Sequence, residues 1–390
     1  MQTLAPRVEE PPVVRLLETV FDRAIALRAS DLHFEPKSDG GRIRARVDGL
    51  LTDVHAVEFA QYAPLVSRVK LLAGMDIADK RQPQDGRYTL LRGGRSLDAR
   101  VSSMPTLDGE KLVIRLLDPA ARSPRLDSLG MPAGLLERYR RLVSSPFGFV
   151  IVTGPTGSGK TTTLYSSLCE LSSPARSICT VEDPVELRIE GASQVHVNVR
   201  AGLDFPTVLR SCLRQDPNVI MIGEMRDTQT ASVGISAALS GQLVLTTLHS
   251  SDAPRTIDRL ADLGASRQAI ASALAAVVSQ RLVRKLCAQC RRHEELPADT
   301  ELRAFGIRTA YAPGGCPACN HTGYHGRIGV FELLEPDDAV REAIGSGGSI
   351  AAILDRGKQT GYEPMIVDGI RKAAAGVTAL EELRRVVPWS

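Results

Sequence analysis

The stretch Phe149-Val-Ile-Val-Thr-Gly-Pro-Thr-Gly-Ser-Gly-Lys-Thr161 decides the fold, because an apolar strand, a glycine-rich turn and a helix start follow one another directly. This order predicts a phosphate-binding loop, in which backbone N–H groups and the positive end of a helix dipole face an anion. Lys160 would neutralise phosphate oxygens, and the Thr161 hydroxyl would ligate Mg²⁺. A chance glycine-rich turn is disfavoured by the strand–loop–helix context. The predicted nucleotide contacts are Gly154, Pro155, Thr156, Gly157, Ser158, Gly159, Lys160, Thr161 and Thr162.

Composition places the chain among ordinary globular proteins. Its 390 residues suggest two or three domains, and 43% hydrophobic residues supply their cores. The net charge of +3 is too small to indicate a nucleic-acid-binding protein. No run reaches the roughly 18 apolar residues of a membrane span, and no secretory signal pattern is present. These observations predict a cytosolic protein in which Cys169, Cys179 and Cys212 are buried free thiols.

Six regions follow from the pattern of apolar, proline and glycine residues. The first folded region is a small α/β domain, in which a helix begins at Val13 and an arginine-faced strand covers Arg42–Val47. A further helix is expected over Leu65–Leu72. The regions are a flexible tail (1–12), the amino-terminal α/β domain (13–118), a linker (119–146), a nucleotide-binding core (147–284), a four-cysteine element (285–335) and a helical carboxyl-terminal region (336–390).

Four apolar strands of the predicted core each end in polar groups. The phosphate loop follows the first strand, and Glu182, Glu224 and His249 follow the other three. The carboxyl ends of parallel strands form the ligand crevice of an open α/β sheet. We therefore expect these groups to converge on a bound nucleotide.

Hydrolysis of a nucleotide needs a group that orients water and cations that offset developing charge. Glu224 is the candidate for the water, with Glu182 beside it, and His249 is a candidate sensor of the terminal phosphate. Gly223 stands where a metal-holding aspartate is usual, so only Thr161 is assigned to Mg²⁺. The core lacks an arginine for this role. Arg100 and Arg115 of the first domain are candidates, although composition alone favours a solvated strand face for them.

Two C-x-x-C pairs follow the core. Their separation is typical of a structural Zn²⁺ site, because each tight turn directs two thiolates toward one centre. Disulfides are disfavoured in a reducing cytosol, and a redox pair is disfavoured by the loop context. His293 and His321 are possible substitute ligands, but four thiols already complete a tetrahedral shell. The predicted ligands are Cys287, Cys290, Cys316 and Cys319.

Taken together, these motifs resemble the secretion and pilus-assembly ATPases, the motors of type II secretion and type IV pili. The resemblance runs from about Val13 to Val387. Beyond the phosphate loop and the cysteines, its marks are four stretches: Thr180-Val-Glu-Asp-Pro-Val-Glu186, Leu213-Arg-Gln-Asp-Pro-Asn-Val-Ile-Met-Ile-Gly-Glu-Met-Arg-Asp227, Thr246-Thr-Leu-His-Ser-Ser-Asp-Ala253 and Thr322-Gly-Tyr-His-Gly-Arg-Ile-Gly329.

The resemblance implies a RecA-like ATPase domain preceded by a small PAS-like domain, assembled as a homo-hexamer on an inner-membrane platform protein at the cytoplasmic face. It implies ATP, Mg²⁺ and Zn²⁺ as cofactors, Glu224 as the catalytic glutamate, and His249 and Glu182 in the family's histidine and aspartate motifs. Arg100 and Arg115 match the amino-terminal arginines that reach ATP, which reverses the composition-based interpretation. The chain is expected to be a short form without the additional amino-terminal domain of many members.

Several functions remain open at this point. The cysteine element disfavours retraction motors, and Phe331-Glu-Leu-Leu-Glu-Pro-Asp-Asp338 favours type II secretion over pilus extension or a DNA-uptake pseudopilus. A nucleic-acid translocase is disfavoured by the mild charge and by an aromatic content of only 4%. A nucleotide-dependent scaffold without turnover is disfavoured only by the presence of Glu224.

Overall fold

The computed structural model describes residues 11–92, 94–117, 125–297 and 300–389. The chain divides into two compact units, Met1–Arg122 and Ser123–Ser390. Most of the predicted flexible tail (1–12) lies outside the described residues, and helix α1 already begins at Pro12. Within the described ranges, no helix is both long and apolar enough to cross a membrane.

Unit 1 is an antiparallel sheet of six strands in the order β3-β2-β1-β6-β5-β4. Alternate residues such as Phe34, Ile43 and Ile114 are fully buried in one core with both helices. The residues between them form the opposite face, which carries most of the arginines that belong to the sheet. The elements are α1 (Pro12–Ala26), β1 (Asp31–Lys37), β2 (Gly40–Val47), β3 (Leu50–Glu58), α2 (Phe59–Leu72), β4 (Gln84–Arg92), β5 (Arg95–Thr106) and β6 (Gly109–Leu117).

Two elements of unit 1 differ from the sequence-based prediction. Strand β3 was not predicted, because its polar residues Thr52, Asp53 and His55 weaken the apolar pattern. Helix α2 begins before the expected Leu65 and contains Pro64 in its interior. The buried Tyr62 hydroxyl donates to the Glu110 carbonyl at 2.9 Å, so a tertiary contact holds the first turns in place despite the proline.

Unit 2 is built on a seven-stranded sheet in the order β15-β12-β7-β11-β10-β8-β9. Its neighbouring strands are parallel, except that β15 runs antiparallel to β12. A separate two-stranded ribbon lies between the cysteine pairs in sequence. The strands are β7 (Gly148–Thr153), β8 (Ile178–Glu182), β9 (Ala192–His196), β10 (Val219–Ile222), β11 (Leu243–Leu248), β12 (Leu274–Leu286), β13 (Arg292–Glu295), β14 (Thr309–Ala312) and β15 (Tyr324–Leu334).

Helices cover both faces of this sheet, and the carboxyl-terminal region is helical as expected. A satellite cluster around Val283, Val330 and Leu383 attaches the last helices to the strands. The helices are α3 (Ala133–Val143), α4 (Lys160–Leu171), α5 (Phe205–Cys212), α6 (Thr228–Leu239), α7 (Ala253–Asp262), α8 (Arg267–Ala273), α9 (Glu301–Ala304), α10 (Asp338–Gly345), α11 (Ile350–Gln359), α12 (Met365–Ala374) and α13 (Leu380–Val386).

Two of the predicted regions, the linker and the four-cysteine element, include segments that pack into the body of unit 2. Within the predicted linker 119–146, helix α3 buries Tyr139 completely, and the Tyr139 and Ser167 hydroxyls lie 2.8 Å apart. Strand β15, assigned from sequence to the four-cysteine element, pairs with β12 in the main sheet. The cysteine-bearing segment is therefore an insertion between two strands of the nucleotide-binding unit.

Strand β15 lies at one edge of the main sheet. Its outward backbone donors at Gly329 and Phe331 bond to the Leu129 carbonyl at 3.0 Å and to the Asp368 carboxylate at 2.9 Å. A loop and a helix side chain thus satisfy edge groups that are otherwise exposed in a sheet.

Candidate functional site

The phosphate loop connects β7 to α4 through three glycines with positive φ. Gly154, Gly157 and Gly159 have φ of 147°, 77° and 88°, which other residues adopt only with strain. At Gly154 an added Cβ would also lie 2.4 Å from the Gln280 carbonyl oxygen. The loop therefore requires glycine there for backbone conformation and for close packing.

Lys160 is the first residue of α4 and is largely buried. Its ammonium donates to the Gly154 and Pro155 carbonyls, each at 2.9 Å, so it spans the loop from inside. Burial, opposed by the Glu224 charge and assisted by the Arg281 charge, lowers the pKa of Lys160 to about 8. The ammonium lies ready to face an anion that the loop binds.

The four predicted strands are neighbours and parallel in the order β7, β11, β10, β8. Their carboxyl ends therefore meet at one edge, as expected from the sequence. The Thr246 and Thr247 hydroxyls of β11 donate to the Ile222 and Gly223 carbonyls at 2.9 and 2.7 Å. These bonds fix the start of the loop that carries Glu224.

Glu224 and His249 both lie within electrostatic reach of Lys160. The Glu224 side chain is 17% exposed, and its Oε1 forms an ion pair with Arg226. Burial lowers the pKa of His249, and the Lys160 charge lowers it further, whereas Glu224 and a hydrogen bond with the Gly154 backbone oppose this. The structure thus brings Lys160, Glu224, His249 and the first glycine of the loop together.

Glu182 ends β8 and is held by other side chains. The Tyr165 hydroxyl, the Thr180 hydroxyl at 2.5 Å and the Gln194 amide at 3.0 Å all donate to its buried carboxylate. The Tyr165 hydroxyl in turn accepts from the Glu186 backbone at 3.0 Å. These contacts favour a role in anchoring the loop after β8, and a catalytic role for Glu182 stays a prediction.

Sequence analysis missed Gln280 and Arg281 of β12. The Gln280 amide nitrogen donates to the Ser158 carbonyl at 2.8 Å, and its oxygen accepts from Thr163 at 2.6 Å. Gln280 therefore connects the phosphate loop to the first turn of α4 through hydrogen bonds. More than a hundred residues separate Gln280 from the loop in sequence, so no local pattern could reveal this contact.

The open face of unit 1 places Arg100 and Arg115 directly opposite each other across β5 and β6. Arg87 of β4 lies opposite Arg100, so three arginines form one row. Asp31 continues the row and bonds to Arg115 at 3.1 Å. A cavity of about 610 Å³ lies over these residues. Because like charges directly opposite on a sheet destabilise it, this arrangement favours anion binding, and Arg87 is the member that sequence analysis missed.

The four cysteines meet in unit 2 as expected. Their sulfur atoms all lie within 4.8 Å of one another. The Cys287–Cys316, Cys290–Cys319 and Cys316–Cys319 sulfur pairs are 3.8, 3.7 and 3.8 Å apart. A tetrahedron with metal–sulfur bonds of about 2.3 Å has sulfur separations of about 3.8 Å. The donor set therefore fits zinc in both chemistry and size.

Comparison with known proteins identifies the family. The sequence model described as "Type II/IV secretion system protein" matches residues 7–385. The chain is 46% identical over 375 residues to the type II secretion system protein HxcR of Pseudomonas aeruginosa, covering 96% of this chain and 77% of that protein. It is 46% identical over 389 residues to the type II secretion system ATPase E of Vibrio cholerae, covering 98% and 76%.

A pilus protein agrees with this assignment, and a solved structure shares the fold. The type IV pilus assembly ATPase PilB of Myxococcus xanthus is 41% identical over 388 residues, covering 97% of this chain and 69% of PilB. The fold is similar to the Legionella pneumophila ATPase DotB, with a TM-score of 0.71, 22% identity and coverage of 98% and 99%. The chain therefore belongs to the family of type II and type IV secretion system proteins, and it is an ATPase of that family.

Proposed function

We propose that this ATPase is a hexameric motor that powers assembly of pseudopilin subunits for type II protein secretion at the cytoplasmic face of the inner membrane. The observation that carries the proposal is the convergence of Lys160, Glu224 and His249 on a phosphate loop. The 46% identity to two type II secretion proteins supports secretion as the process. The proposed partner is the secretion platform protein of the inner membrane.

In the proposed reaction Lys160 and the backbone of the phosphate loop bind the nucleotide phosphates. Glu224 Oε1 is paired with Arg226, and we assign Oε2 to orient the attacking water and accept its proton. His249 contacts the terminal phosphate and registers its departure. Arg100 and Arg115 offset charge that develops on the phosphates. The Thr161 hydroxyl would hold Mg²⁺, which supplies further positive charge there.

The four cysteines are proposed to hold a structural zinc ion, which links the two ends of the insertion between β12 and β15. We expect about one zinc per chain in freshly purified protein, and its loss when Cys287 and Cys290 are both changed to Ser. Metal analysis gives the content, and Cys169→Ser is the matched control at a cysteine outside the cluster. Zinc-free wild-type protein would refute this assignment.

Pilus extension is the second candidate, and the 41% identity to PilB favours it over a DNA-uptake pseudopilus or a nucleic-acid translocase. A deletion strain complemented with wild-type or Glu224→Gln protein separates secretion from pilus extension. Loss of secreted enzymes with normal surface pili supports secretion, and the reverse supports pilus extension. Strong stimulation of purified protein by single-stranded DNA would instead indicate a translocase.

A further inference from the structure

Arg281 is a buried cation on β12 beside the phosphate loop. The residue is 7% exposed, and burial lowers its pKa. Among the described residues no carboxylate lies within ion-pairing distance of it; Glu332 and Asp252 act only at longer range. Burying a charge without a carboxylate partner costs folding free energy, which indicates that Arg281 has a role at this position.

The contacts of Arg281 suggest that reason. Its Nη2 donates to the Ser251 carbonyl at 2.6 Å, and its Nη1 donates to the Gln280 carbonyl at 3.1 Å. A Cβ added to Gly154 would lie 3.2 Å from Nη1, so the guanidinium lies against the first glycine of the loop. Arg281 therefore touches the phosphate loop on one side and the segment after β11 on the other.

These contacts close a ring through His249. His249 lies two residues before Ser251, and the Gly154 backbone is close enough to its imidazole to raise its pKa. The ring runs from Gly154 to Arg281, then to Ser251, and back through His249. A planar guanidinium presents two nitrogens in a fixed geometry, one for each of these carbonyls, whereas an ammonium has a single nitrogen on a flexible stem.

We propose that Arg281 is a positioning residue for hydrolysis, because it holds the His249 segment against the phosphate loop. It acts on the terminal phosphate of a bound nucleoside triphosphate through His249 and not by direct contact. The inference rests on the proposed function, since it assigns a means of holding the proposed phosphate sensor.

A double-mutant cycle between Arg281→Met and His249→Gln tests this inference. Each single variant should lower kcat by about tenfold, because each disturbs the same arrangement, and the double variant should be no slower than the slower single variant. The Kd for a fluorescent ATP analogue should change by less than about threefold. Effects that multiply to about a hundredfold would overturn the proposal, as would unchanged turnover in His249→Gln.

Two further variants exclude a general structural effect. Lys285→Met removes an exposed cation from the same strand and should leave kcat unchanged. Arg281→Lys keeps the charge but offers a single nitrogen on a shorter side chain in place of Nη1 and Nη2, so it should remain slow even if Arg281→Met folds poorly. Full activity of Arg281→Lys would refute the bridging role. Absence of wild-type hydrolysis would refute the proposed function itself, whereas normal hydrolysis with multiplying effects refutes only this inference.

Discussion

The two units of this protein present positive charge in opposite ways. In unit 2, Lys160 is buried and spans its own loop, so its direction and pKa are set by the fold. In unit 1, the Arg115 side chain is 61% exposed and shares Asp31 with Arg46. A guanidinium stays charged at any working pH, whereas a buried ammonium does not. The phosphate loop therefore holds its cation in a fixed, buried position whose charge depends on pH, whereas Arg115 of the arginine row is exposed to solvent.

The largest expected effect separates chemistry from binding in unit 2. Glu224→Gln should lower kcat by roughly 10²- to 10⁴-fold, because the amide cannot accept a proton from water. Binding of a fluorescent ATP analogue should be preserved, since Lys160 and the loop backbone remain. Steady-state turnover measures the first and titration the second. Glu190→Gln, at an exposed acid, is the matched control; wild-type turnover in Glu224→Gln would remove Glu224 from its role.

A smaller effect tests whether the arginine row of unit 1 serves the same reaction. Arg115→Ala should lower kcat by about 10²-fold while the Kd for the ATP analogue changes little, because the cation acts on charge that develops during hydrolysis. Arg42→Ala is the control, since Arg42 lies on the same face but pairs with Glu35 at 3.1 Å. Equal losses in kcat and affinity would make Arg115 a binding or structural residue.

The effect of pH on nucleotide binding should be smaller than the effect of Arg115→Ala, and we assign it to Lys160 in unit 2. The pKa of Lys160 is lowered to about 8, and bound phosphates raise it, so binding takes up a proton above that pH. The affinity for nucleotide is therefore highest below pH 8. It falls as the pH rises above 8, by up to about tenfold per pH unit. Titrations from pH 7 to 9.5 measure this. Lys160→Arg should show no such slope, and a flat wild-type profile would contradict the assignment.

The smallest effect concerns the stability of the arginine row. Asp31→Asn removes the carboxylate that Arg115 and Arg46 share, and should destabilise the protein by about 0.2 to 1 kcal/mol. Added inorganic phosphate should recover stability more in the variant than in wild type, because an anion replaces the lost carboxylate. Thermal unfolding measures both. Asp53→Asn, whose side chain is 72% exposed, is the control; equal recovery in both would argue against anion binding.

The sequence was sufficient for the parts of the site that are local in the chain. The loop from Gly154 to Thr161 and the polar ends of β8, β10 and β11 follow from apolar runs and the residues directly after them. The adjacency of these strands follows from the rule that the carboxyl ends of parallel strands form one crevice. The cysteine cluster followed from two short spacings.

What the sequence did not reveal depends on contacts between distant residues. Gln280 and Arg281 lie on an apolar strand whose pattern indicates only burial, and their function appears once β12 pairs with β7. Arg87 joins the other arginines only through strand register, which the sequence does not specify. The anchoring of Glu182 by Tyr165 likewise requires a helix and a strand to be packed together.

The covered edge at β15 has a consequence for association between molecules. Because Leu129 and Asp368 occupy the Gly329 and Phe331 donors, an incoming backbone cannot pair with the middle of β15. Strand addition at this position would have to break internal bonds first, which protects the β15 edge from edge-to-edge aggregation. We therefore expect any contact between copies of this chain at β15 to be made by side chains and not by a sheet shared between two molecules.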